Sequence, residues 1–298
     1  MMKKLMLLLL AVLLLSGTAA AEGNYLIVCP EGAPALAVAS LKDHVQTIDA
    51  ATIAAPFSSE EADFIIAPVN AGAKLFKAGK STYRLAAVVT WGNLVFASQI
   101  PDFTLESMNG KEVTLFGENT INASVALYIL KEKGITPSGV TYLAGAKQTQ
   151  ELLVNQADAV VMTAEPAATA AWMANNGITA ISLTDLFRDL TGDEGYVQAG
   201  LFVREKTLQE NAGQVDAWLA EIRASADLCE TDPEAAAAAA VEMEILKNEK
   251  VALRAIPNCH IHYVPASEVK ELVEKTAAID LSQFGGEAPA DDFYYESK

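Results

Sequence analysis

Three observations predict an α/β fold built from two similar halves. Short apolar runs bounded by turn residues alternate with helical segments along nearly the whole chain. The stretch 62–70, ADFIIAPVN, returns in altered form at 157–166, ADAVVMTAEP. Each copy opens with Ala-Asp, runs through a short apolar block and breaks at a proline, the pattern of a strand buried on both faces. Behind each proline comes an alanine-rich segment, 71–78 and 167–175, that reads as a helix. In open α/β sheets ligands sit at the carboxyl ends of the strands. The turns at 68–70 and 163–166 are therefore expected to face each other across a cleft.

The chain opens with a segment that reads as a targeting signal. Lys3 and Lys4 supply a positive start, residues 5–15 an apolar core, and 18–21 small residues suited to cleavage. The apolar run falls short of the ~20 residues that span a bilayer. No cysteine lies near the cleavage site, so a lipid anchor is not expected. The protein is expected to be soluble outside the cytoplasmic membrane. Removing the two lysines takes the formal charge from −17 to −19. A field of that sign repels nucleic acid and anionic lipid, and neither is expected as a partner. Of the three cysteines, Cys29 reads as a small buried hydrophobe. Cys229 and Cys259 can pair in an oxidising compartment or stay free, and the sequence leaves this open.

The elements follow in order. Residues 24–29 are a strand, 30–34 a loop and 35–44 a helix; 45–49 is a short strand. Pro56 and two serines keep any helix in 50–61 brief. After the first motif come apolar runs at 83–90 and 93–97, divided by Trp91 and Gly92. The pattern restarts at Thr104, with strands at 112–116, 140–144 and 178–183 and helices at 121–133 and 147–156. Residues 195–203 read as a strand returning to the first half. The rest is expected to be mostly helical, over 214–230, 232–248 and 267–281. The first half is thus 22–100 plus 201–298 and the second is 101–200, inserted. Two connections, near 97–102 and 195–200, form a hinge.

The run ADFIIAPVNAGAKLF, the segment TWGNLVFAS, the turn MNGKEVTLFG, the ADAVVMTAEP motif and the ending IPNCHIHYVP…GGEAPADDFYY together resemble the substrate-binding proteins of ABC importers. The nearest branch groups binders of aliphatic sulfonates, taurine and thiamine pyrimidine precursors. The resemblance covers the mature chain and rests on the order and spacing of these motifs. It implies a type II periplasmic-binding fold, two lobes on a two-segment hinge, that captures a small-molecule ligand for an ABC permease in the membrane, as a monomer and without cofactor. One departure is a shortened segment between Val45 and Asp63, where the family has a full strand-helix pair.

The candidate ligand contacts lie at the predicted cleft turns. Glu31, Gly32, Ala33 and Pro34 join the first strand to its helix, where glycine allows close approach and a helix start offers free N–H groups; an ordinary turn is the alternative. Asn70 either caps its helix or turns into the cleft. Trp91 offers a flat face and an N–H, or serves as a core residue at the hinge, and Asn93 flanks it across Gly92. Asn119 and Thr120, after Gly117 and Glu118, repeat the glycine-then-helix arrangement, with Thr120 also a plain cap. Thr163 and Glu165 stand at the second motif, and Gln198 in the returning strand. Glu31, Glu118 and Glu165 sit at these turns while the five arginines (84, 188, 204, 223, 254) fall elsewhere in this reading. Strong anions are usually gripped by arginine forks. The expected solute is therefore a neutral or cationic heteroaromatic such as an aminopyrimidine, over a sulfonate. His260 and His262 fall on one side of a strand, an acceptable metal geometry, but no third ligand is evident and no metal is expected. The competing function is an enzyme of pyrimidine or menaquinone synthesis on the same fold, or an extracellular sensor. The export signal and the lack of a converging Ser-His-Asp or Cys-His set speak for binding.

Overall fold

In the computed structural model the described residues are 24–175 and 177–296; the segment 1–21, read as a targeting signal, lies outside them. The first sheet contains β1 (Ile27–Pro30), β2 (Val45–Ile48), β3 (Phe64–Pro68), β4 (Tyr83–Thr90), β10 (Ala199–Arg204) and β11 (Ile261–Pro265), in the order β11-β4-β10-β3-β1-β2. The second contains β5 (Leu94–Ser98), β6 (Glu112–Phe116), β7 (Gly139–Leu143), β8 (Val160–Ala164) and β9 (Thr179–Ser182), in the order β7-β6-β8-β5-β9. Read from β2 and β7 inward, the two orders match. Each sheet places its own second, first and third strands side by side, then an antiparallel strand arriving from the other half, then its fourth. The two Ala-Asp motifs are the third strands, β3 and β8, and both are buried on both faces.

The crossovers fix how the sheets meet. The chain leaves β4 at Thr90 and enters β5 at Leu94, which pairs with Ala164 at the carboxyl end of β8. It returns into β10 at Ala199, which pairs with Pro68 at the carboxyl end of β3. Each crossing strand belongs to the sheet it enters, because its hydrogen bonds are made there. The first crossing is therefore at 91–93, earlier than the 97–102 expected, and β5 lies in the second half. The carboxyl ends of β3 and β8 both adjoin the crossovers.

Asp63, the acid of the first motif, accepts from the backbone N–H of Leu26 (3.0 Å), from Thr207 Oγ1 (2.8 Å) and from Arg204 Nη2 (3.1 Å). It ties β3 to β1 and to the chain after β10. Burial supplies the rest. One apolar cluster runs from Phe57, Val69 and Phe202 through Trp91, Leu94 and Tyr196 of the crossovers to Leu115 and Ile129 in the second half. On the other face of the first sheet, Ile27, Ile66 and Leu201 pack with Trp218 and Ile222 of the helix Ala212–Thr231. Each such large side chain fully buried is worth roughly 1.5–3 kcal/mol.

Several expectations are corrected. The first helix is a 3-10 helix, Ala33–His44, with non-helical backbone at Val38 and Leu41. Segment 50–61 is indeed short in helix: a 3-10 turn at Ala50–Thr52, then Ala54–Ser59. The helix expected over 232–248 ends at Glu242, where Glu244 takes a left-handed φ of 58°. A separate helix, Glu249–Ala255, follows, capped by Asn248, whose Oδ1 accepts from the N–H groups of Lys250 and Val251. All three thiols are buried and unpaired, and burial pushes Cys229 up to about 12. Among the described residues no helix is long and apolar enough to cross a membrane.

Candidate functional site

Both third strands run straight into helices, Val69–Lys77 after β3 and Glu165–Ala174 after β8, with no intervening loop. Each helix therefore starts at the carboxyl edge of its sheet, beside the crossovers. The two starts are linked. The Val69 N–H donates to the Gln198 carbonyl (3.1 Å) and the Glu165 N–H to the Asn93 carbonyl (2.8 Å). Gln198 Nε2 donates to Asn93 Oδ1 (2.9 Å), and the Asn93 N–H donates to Gln198 Oε1 (3.1 Å). Asn93 and Gln198 stand one on each crossover, both buried. Four hydrogen bonds thus join the helix start of one half to that of the other, through a buried amide pair.

At the two helix starts come two side chains of opposite satisfaction, and the cavity beside Glu165 is not lined by Asn70. Asn70, the second residue of its helix, is 8% exposed, and its Oδ1 is buried without a hydrogen-bond partner. It does not cap the helix; Pro68 holds that position. A buried amide oxygen left unpaired costs on the order of 1–3 kcal/mol. Glu165, the first residue of its helix, is 9% exposed and accepts from Thr169 Oγ1 (2.9 Å). Burial raises its carboxyl above the usual range; Thr169, Asn258 and the charge of Arg254 oppose that rise. Glu165 opens into a cavity of about 470 Å³ shared with Thr169, Trp172, Arg254 and Asn258.

The other candidates fall in different places. Glu31 and Gly32 are exposed, Gly32 with φ 99°, a left-handed backbone that favours glycine; Ala33 is buried and Pro34 half-buried. The Glu31 N–H is taken by the Ile48 carbonyl at 2.9 Å. Asn119 is exposed in a left-handed turn (φ 58°), and Thr120 caps the next helix by accepting from the Ala123 N–H at 3.3 Å. Thr163 turns into the second half, where its hydroxyl meets Thr149 Oγ1 at 2.9 Å and the Ala146 carbonyl at 3.3 Å. The Trp91 face is covered by His262, stacked at 5.3 Å and 7°, and its Nε1 donates to the His262 carbonyl at 3.2 Å. The histidine stretch thus lies beside the first crossover. His262 also faces Glu230 at 3.1 Å. Among the described residues no group of three or more His, Cys, Asp or Glu is placed to hold a metal ion.

Sequence reasoning missed Arg254. The helix Glu249–Ala255 packs on the helix Glu165–Ala174, and the Arg254 guanidinium lies over the Trp172 ring, 3.7 Å from its centroid. An arginine does share the Glu165 cavity, contrary to the expectation that all five fall elsewhere. The available signal was weak: a short capped helix behind Asn248, whose position depends on tertiary packing alone.

A family model described as NMT1/THI5 like matches residues 92–236. No curated protein sequence matches the chain. Among solved structures, an ABC transporter protein from Parabacteroides distasonis superposes with a TM-score of 0.79 at 18% identity, covering 92% of this chain and 99% of that one. The periplasmic aliphatic sulphonate binding protein SsuA of Escherichia coli gives 0.69 at 12% identity, covering 92% of each. The alkanesulfonate-binding protein SsuA of Xanthomonas axonopodis pv. citri, bound to MOPS, gives 0.65 at 14%, covering 89% and 94%. The chain therefore adopts the type II periplasmic-binding fold and carries an NMT1/THI5-like segment, the grouping that its sequence motifs resemble.

Proposed function

We propose that this protein is the extracytoplasmic solute-binding component of an ABC importer. It captures a small organic solute between two lobes and presents it to a membrane permease, without catalysis. The lobes correspond to the two sheets with their helices, and the crossovers at 91–93 and 192–198 act as the hinge. After signal removal it works as a soluble monomer.

The observation that carries this reading is the bonded floor of the cleft. Two helix starts from different halves are held together by the Asn93–Gln198 pair, with an unpaired buried Asn70 oxygen on one side and the buried Glu165 carboxylate on the other. Both side chains present acceptors. A solute bearing N–H groups satisfies them, whereas a simple sulfonate offers only acceptors of its own. Among such solutes an aminopyrimidine, neutral or cationic, fits these groups. Backbone N–H groups at the helix starts accommodate a carbonyl or ring nitrogen of the same solute.

The test is a thermal-shift screen of the mature chain over pyrimidines, sulfonates, amino acids and polyamines. A solute at a hundred times its dissociation constant adds ~2.7 kcal/mol of stability. The expected result is a shift with an N–H-bearing solute that is lost when Asn70 and Glu165 are both replaced by alanine. A shift that survives both replacements intact would refute this choice of contacts.

A further inference from the structure

In the cavity beside Glu165, opposite charges from the two halves face one space without pairing. Glu165 and Thr169 come from the helix Glu165–Ala174 of the second half; Arg254 and Asn258 come from the helix Glu249–Ala255 and the turn after it in the first. The Glu165 side chain is nine-tenths buried, with Thr169 Oγ1 on one of its oxygens. Arg254 is held over the Trp172 ring, which packs the guanidinium face and leaves its N–H edge for other partners. Among the described residues no ion pair joins Arg254 to Glu165 or to any other carboxylate. The cavity, open to solvent on the Arg254 side, has a volume of about 470 Å³, in the range of small-molecule sites.

A cation and an anion presented from opposite halves, close enough to share a cavity and not paired with each other, are complementary to a solute carrying both signs. Building on the reading of the cleft as a solute site, we propose that Arg254 forms a subsite for an anionic group, so that the N–H-bearing solute carries an anion as well and is amphoteric rather than neutral or purely cationic. Its amine or amide N–H lies on Glu165, and its carboxylate lies on the Arg254 fork. Such a solute touches both halves at once, so binding and closure are one event. A planar carboxylate suits the fork bidentately, and an aminosulfonate offers the same anionic oxygens in another shape.

The experiment uses the full mature chain and thermal shift with named probes. These are ω-amino acids from glycine to 5-aminopentanoate, 3-aminopropanesulfonate, the single-ended propylamine and butyrate, and neutral cytosine. At least one double-ended probe is expected to raise the melting temperature, and both single-ended probes to leave it unchanged. Arg254→Gln is expected to weaken the double-ended probe by about tenfold or more, and Arg254→Lys to keep part of the affinity. Arg254 is exposed, so the unliganded Arg254→Gln protein is expected to melt within about 2 °C of the parent. Response to 3-aminopropanesulfonate in place of the amino acids, lost in Arg254→Gln, upholds the subsite and assigns its anion as a sulfonate. A double-ended probe indifferent to Arg254→Gln overturns the subsite. Cytosine binding that depends on Glu165→Gln but not on Arg254→Gln also overturns it, while leaving the cleft reading intact. Silence from every probe, with the wider solute screen also blank, overturns both.

Discussion

The two Ala-Asp motifs, so alike in sequence, do different work. Each becomes the third strand of its sheet and delivers a helix start to the crossovers. Yet Asp63 is bound by Leu26, Thr207 and Arg204, while Asp158 is exposed at a turn. At the other end of each strand the contrast returns: Asn70 keeps an unpaired oxygen, and Glu165 is held by Thr169. The repeat therefore encodes position, the burial of a strand and the place where its helix begins. Chemistry is set by what the rest of the chain brings to each copy.

The largest expected effect breaks the comparison at its start. Asp63→Ala strips the carboxylate from Arg204, whose side chain is only 14% exposed and keeps just the neutral Thr207 hydroxyl and Glu60 carbonyl, and should cost about 3–5 kcal/mol by urea denaturation. Asp158→Ala in the second copy should stay within about 0.5 kcal/mol. Equal costs would mean that the two motifs are equivalent after all.

Next comes the amide pair that joins the copies. Asn93→Ala leaves the Gln198 amide short of a partner in a buried site, for a cost of about 1–3 kcal/mol. A double-mutant cycle with Gln198→Ala should return a coupling of about 0.5–3 kcal/mol, and strict additivity would show that the pair does not act as a link.

A smaller effect separates the helix starts by pH. Burial raises the Glu165 carboxyl in the folded state, so the native chain holds that proton more tightly than the unfolded one. Stability should therefore fall as pH rises from the ordinary Glu range through the raised native value, and the penalty should be absent below the ordinary Glu range. Glu165→Gln should remove this component of the pH profile of urea stability; an unchanged profile would show that Glu165 is not its source. Smallest of all, Asn70→Ala removes an already unsatisfied oxygen and should change unliganded stability by less than about 1 kcal/mol. A loss of several kcal/mol would reveal that Asn70 is structural.

Much of the fold was legible because it rests on local pattern. A short apolar block between Ala-Asp and a nearby proline reads as a buried strand, and two such strands with helices behind them point to two similar halves. Thr120 as a cap was likewise readable, since its partner lies within a few residues. The site was legible in outline only. Asn93 and Gln198 were singled out one by one, but their pairing spans 105 residues. Trp91 was left between a ligand face and a core residue at the hinge, and the His262 that decides for the core lies far along the chain. Arg254 was assigned elsewhere because nothing local says which helix its own short helix will meet. Charge near a site is a tertiary property, and a count of arginines at the turns cannot supply it.

The central claim is that one solute is held by both halves at the helix starts after β3 and β8. Amide hydrogen exchange, with and without the best solute of the thermal-shift screen, tests it most directly. Added protection is expected together at Asn70 and Ala71 in the first helix and at Ala167 and Ala168 in the second. Protection confined to one half, or absent from both helix starts while the solute is bound, would contradict the account.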